Sequence, residues 1–66
     1  MNIRFHKDLY PLKAIQKTMA AYRHLSTCVF SEKGRYYCVN MTRIHKDVER
    51  VIVDEFCNYV LSLIKE

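Results

Sequence analysis

Sixty-six residues allow one domain, and a chain near this size buries only about 60% of its unfolded surface, so it leans on a metal, a disulfide or a partner. Half the residues are hydrophobic, five of them Tyr and three Phe, which excludes disorder, and a single Gly and a single Pro exclude a glycine-rich phosphate loop. Residues 1–46 carry nine Lys/Arg against Asp8 and Glu32, a net +7, whereas residues 47–66 carry Arg50 and Lys65 against five acids, a net −3. That asymmetry points to a charged partner or to head-to-tail self-association.

Met1, Ile3 and Phe5 alternate with Asn2, Arg4 and His6, a period of two that predicts a short strand with one buried face. In the following DLYPLKAIQKTMAAYRHL, Leu12, Ile15, Met19 and Tyr22 recur at spacings of three and four, an amphipathic helix with Pro11 tolerated in its first turn. Lys13, Gln16, Lys17, Arg23 and His24 share the opposite face, which has no acid. STCVFSEKGRYYCVNMT predicts a hairpin. With a Glu32-Lys33-Gly34 loop, Phe30 opposes Tyr36 and Cys28 opposes Cys38. One face then carries Cys28, Phe30, Tyr36, Cys38 and Asn40, and the core face carries Thr27, Val29, Tyr37, Val39 and Met41. From Asp47 to Glu66 a second helix shows two adjacent apolar stripes, Val48-Ile52-Phe56-Tyr59-Leu63 and Val53-Cys57-Val60-Ile64. Together they are wider than one packing surface needs. The expectation is an α+β domain spanning residues 1–66, β-α-β-β-α, a three-stranded sheet with two helices on one face. Phe30 and Tyr36 would lie on the open side.

One pattern repeats: RFHKDL at residues 4–9 and RIHKDV at residues 43–48. Both fall where a strand gives way to a helix, so the repeat reads as helix-start grammar, with Asp8 and Asp47 accepting bonds from free N–H groups. The alternative is a metal site from His6, Asp8, His45 and Asp47, since imidazole and carboxylate suit zinc or iron. His-x-Asp is no established helical ligand spacing, and the reading is that no metal is held. Cys28, Cys38 and Cys57 form neither a Cys-x-x-Cys nor a zinc quartet, and an odd, widely spaced set suits reduced thiols. Cys28 and Cys38 are a redox pair only if they face each other with a depressed pKa; otherwise they are small apolar side chains. No nucleophile–base–acid set is assembled, so neither enzyme nor cofactor is expected. MNIRFHKD has no signal-like apolar run and no stretch spans a bilayer, so the expected setting is the cytoplasm, away from membrane.

Leu9, Tyr10, Leu12, Ala14 and Ile15, followed by Ala21, Tyr22 and Arg23, resemble the D-type small protein of the His-Xaa-Ser peptide-maturation system. That family has a C-terminal Leu-Leu-Asn-Asp-Tyr-x-Leu-Arg-Glu signature. Here Phe56, Cys57, Asn58, Tyr59, Leu61, Lys65 and Glu66 stand in its place; the second Asp is absent and the spacing to the final basic-acidic pair is longer. The resemblance implies a non-catalytic protein encoded beside a radical SAM maturase and a precursor peptide. On that basis the expected activity is that of an adaptor binding a maturase, a precursor peptide or both, with the basic half of the chain suited to an acidic leader. Phe30, Tyr36, Cys38, Lys13, Lys17 and Arg23 are the candidate partner-binding residues, and Val53, Cys57, Val60 and Ile64 the candidate interface of a homodimer. The competing readings are a regulatory protein touching nucleic-acid phosphates through Lys13, Lys17 and Arg23, and a structural subunit without a ligand.

Overall fold

The alternation at the start of the chain forms β1 (Asn2–His6), which buries Ile3 and Phe5 and turns Arg4 outward. A computed structural model describes residues 1–65. It continues with α1 (Leu12–Tyr22), β2 (Thr27–Lys33), β3 (Tyr36–Thr42), a 3-10 turn at Lys46–Val48 and α2 (Ile52–Ile64). The sheet order is β1-β3-β2 with both pairings antiparallel, so β1 and β2 run parallel at the two edges and β3 separates them. The expected α+β domain with one three-stranded sheet and two helices is thus present. Ile3, Phe5, Val39 and Met41 supply the sheet side of one core, and Ala14, Ile15, Ile52, Phe56 and Val60 the helical side.

The hairpin differs from expectation. Lys33 pairs with Tyr36, leaving a two-residue Gly34-Arg35 loop. Gly34 has φ +59°, as the first central position of a tight II′ turn requires. Phe30 therefore opposes Val39, and Cys28 opposes Met41 rather than Cys38. The expected core face holds on β3, where Tyr37, Val39 and Met41 point inward, and inverts on β2. Val29 is 55% exposed, while Cys28 and Phe30 pack against the core. Burying Phe30 in place of Val29 removes more apolar area from water, which favours this register. Glu32 then comes to the rim of the core face, where Lys7 Nζ meets its carboxylate at 2.9 Å.

Helix boundaries also moved. Pro11 precedes α1 as its cap residue, with its carbonyl accepting from the Ala14 and Ile15 N–H groups. Ala14, Ile15 and Thr18 are the buried residues of α1, and Thr18 Oγ1 donates to the Ala14 carbonyl at 2.8 Å, so no polar group is stranded. Leu12, placed on the buried stripe by its spacing, is only half-buried. The second helix starts at Ile52, five residues after Asp47, because the chain from Lys46 to Val48 takes a 3-10 turn in place of the expected first helical turn. Two tighter turns, Val48 N–H to His45 carbonyl and Val51 N–H to Val48 carbonyl, carry the chain to it. The expected end at Glu66 lies outside the described residues.

Candidate functional site

The two hexapeptides build the same corner. At the first, His6 Nδ1 accepts the Asp8 N–H at 3.2 Å while the His6 carbonyl accepts the Leu9 N–H. At the second, His45 Nδ1 accepts the Asp47 N–H at 3.3 Å while its carbonyl accepts the Val48 N–H. The acceptor side chain is the histidine, not the aspartate assigned to that role from sequence. Each aspartate carboxylate sits close to its own imidazole, at 3.8 and 3.7 Å. Among the described residues no group of three or more His, Cys, Asp or Glu is placed to hold a metal ion.

The best-formed binding feature is the outer edge of β2. In a hairpin closed by two residues the flanking pair exchanges both backbone bonds, and bonded pairs alternate from there. Lys33, Ser31, Val29 and Thr27 thus bond to β3, and the N–H and C=O groups of Cys28, Phe30 and Glu32 point away from the sheet. The other side of β3 agrees: Met41 exchanges both its backbone bonds with Met1, and Lys7 N–H reaches the Arg35 carbonyl. Among the described residues no further strand lies beside β2. A groove lies at the start of this edge, walled by Met19 and Ala20 of α1, by Arg23 just after that helix, and by Ser26, Thr27 and Cys28.

Of the predicted partner-binding residues, Arg23 alone belongs to that groove. Lys13 and Lys17 are exposed farther up α1, beside Leu63 and Ile64 of α2. Phe30 and Tyr36 are not on one face. Phe30 packs on Tyr37 on the helix side, ring centroids 5.7 Å apart. Tyr36 is 38% exposed on the open side, with the Arg4 guanidinium 5.2 Å from its ring centre and His6 edge-on at 5.3 Å. Cys38 shares the open side but is buried beneath its neighbours, opposite Ser31. Cys28 and Cys38 therefore lie on opposite faces, and the facing pair is withdrawn. All three thiols are free.

On α2 the predicted interface is corrected at one position. Val60 is fully buried, whereas Leu61 is 39% and Ile64 36% exposed beside half-buried Val53 and Cys57. Sequence reasoning missed Leu61, although it falls four residues after Cys57 and three before Ile64. It also missed Met19 and Ala20, whose groove role depends on how α1 crosses β2. Burial, reinforced by Asp54, pushes the Cys57 thiol pKa up. Burial also raises the Tyr22 phenol, with Glu55 and then Tyr59 adding to it. Both groups are held in their neutral forms. No helix among the described residues is long and apolar enough to cross a membrane. No protein-family model, curated protein or solved structure matches this chain.

Proposed function

We propose that the protein is a non-catalytic adaptor that captures an extended, acidic peptide as an added strand along the free edge of β2. The observation that carries this reading is the seven-residue edge strand with three outward-facing backbone positions, Cys28, Phe30 and Glu32, beside the groove that Arg23 walls. Main-chain bonds along such an edge supply affinity, and alternate side chains dropping into the groove supply selectivity. Arg23 near the start of β2 and Lys33 at its end favour a peptide of negative charge. Following the resemblance of residues 9–23, the peptide is the precursor of a cytoplasmic radical SAM maturation system, and the maturase is the second partner.

Amide hydrogen exchange tests the binding mode with a synthetic acidic, strand-forming peptide. The Cys28, Phe30 and Glu32 amides exchange freely in the protein alone and become protected on binding, while Arg23→Glu weakens binding about tenfold. Protection that appears elsewhere, with none in β2, sinks the proposal. A second reading rests on the exposed Lys13 and Lys17 of α1, a helix without acids, and on Arg23 at its end. If those residues bind nucleic acid, a single-stranded oligonucleotide binds with affinity that falls steeply with salt and disappears in the Lys13→Glu/Lys17→Glu double variant.

A further inference from the structure

α2 leaves three large hydrophobic side chains, Tyr59, Leu61 and Ile64, exposed to solvent. Ile52, Phe56 and Val60 face the core completely. Turning about 100° per residue from that face, Val53, Cys57, Leu61 and Ile64 form a second stripe along one flank, partly exposed at the first two positions and exposed at the last two. Asp54 and Lys65 lie on one line just beyond the stripe, three turns apart and both exposed. Neither takes part in an ion pair among the described residues.

This arrangement is self-complementary. In two antiparallel helices related by a two-fold axis, each flank meets the same flank of the partner helix, read in reverse order. Placing the axis at Tyr59 sets Val53 against Ile64 of the second copy and Cys57 against Leu61. It also sets Asp54 against Lys65, once at each end. The three pairings are centred within half a residue of that point, so a single register satisfies them together. A parallel pairing would instead set Asp54 level with Asp54 and Lys65 level with Lys65, giving neither an opposite charge to meet. We infer that α2 is the interface of a two-fold symmetric dimer, in which each Val53-Cys57-Leu61-Ile64 stripe lies antiparallel on the same stripe of a second copy of this chain. The opposite charges give the partner's identity as well as its direction, because the stripe's own flank carries the complement of its own charge. The β2 edge shares no residue with this surface, so the dimer and the peptide site stand or fall separately.

Sedimentation equilibrium of the full chain over a wide concentration series tests the inference, with circular dichroism to verify folding of each variant. The wild type forms a dimer and nothing larger. Leu61→Glu raises the dissociation constant at least about tenfold, the effect of losing one large buried apolar side chain. Because Leu61 is solvent-exposed in the monomer, the fold is retained. Asp54→Lys and Lys65→Asp each weaken the dimer roughly threefold to tenfold, and the Asp54→Lys/Lys65→Asp double variant recovers most of the loss, since the pair is restored with its ends exchanged. A wild type that stays monomeric throughout, a dimer indifferent to Leu61→Glu, or a double variant no tighter than the singles overturns the inference.

Discussion

The two helices sit on the same side of the sheet and solve opposite problems. α1 buries a narrow strip, with small residues at Ala14 and Thr18, and covers its outside with Lys13, Gln16 and Lys17, so its surface is finished by charge. α2 buries large side chains at Ile52, Phe56 and Val60 and still leaves Leu61 and Ile64 in solvent. The difference is one of task. Small buried residues let α1 lie close to the core while contributing little burial of their own. α2 carries most of the helical apolar area and has a surplus. Selection for folding alone explains the inner face of α2 but not its outer stripe.

The sharpest way to break this comparison is to weaken each helix at its centre. Phe56 is fully buried and packs against Phe5, with ring centroids 6.1 Å apart, and edge-on against Tyr22 at 5.4 Å. Phe56→Ala should cost about 3–5 kcal/mol, enough to leave so small a domain largely unfolded at room temperature. Urea unfolding measures it; a loss below about 1 kcal/mol would remove α2 from the centre of the core. The next effect belongs to α1 and has the opposite origin. Ala14→Leu pushes a large side chain where a small one is needed and should destabilise by about 1–3 kcal/mol. An unchanged urea midpoint would show that the small residues of α1 are not there for close approach.

The parts of this contrast that could be read in the sequence are those set by one element at a time. Ile3 and Phe5 announce the buried side of β1 by alternation, and Ile52 and Phe56 announce the inner face of α2 by helical spacing. The β2–β3 register depends on whether the loop holds two residues or three. Both loops are compatible with Gly34, and the wrong choice sends Phe30 to the open side and Val29 to the core. The candidate site inherits that uncertainty. Tyr36 and Phe30 share a face in one register and are separated in the other, whereas Arg23 is placed by the end of α1 and found beside the start of β2. The His corners were legible as junctions because the hexapeptide repeats. Which side chain accepts the bond was not, since imidazole and carboxylate two residues apart can both serve.

A smaller effect separates the helices by pH. Tyr22 of α1 and Cys57 of α2 both have raised pKa values, the former mainly by burial and then by Glu55 and Tyr59, the latter mainly by burial and then by Asp54. A group whose folded pKa lies above its unfolded one stabilises fully below the unfolded pKa, and that contribution is lost as pH rises through the folded value. The contribution of these two groups is therefore flat below the ordinary values of 9.0 for the thiol and 10.0 for the phenol, and declines above them. Urea midpoints measured through this alkaline range should fall. Cys57→Ala should flatten the first part of the decline and Tyr22→Phe the second. A decline that survives both variants assigns it to other groups.

The smallest expected effect comes from the place where the two hexapeptides part. Arg4 lies in β1 with ordinary extended backbone, but Arg43, its counterpart, has φ +51°. It stands just after β3, where the chain turns so that the His45 N–H can reach the Leu25 carbonyl at 2.7 Å. A left-handed conformation costs a non-glycine residue about 1–2 kcal/mol, and glycine avoids that cost while giving back roughly 0.5–1 kcal/mol in unfolded-chain entropy. Arg43→Gly should therefore stabilise the domain, by under about 1 kcal/mol, and Arg4→Gly should destabilise it by a similar amount because a strand interior gains nothing from the freedom. Identical signs for the two substitutions would mean that the corners are alike even at their first residue, and that the turn after β3 is held by the His45–Leu25 bond without backbone strain.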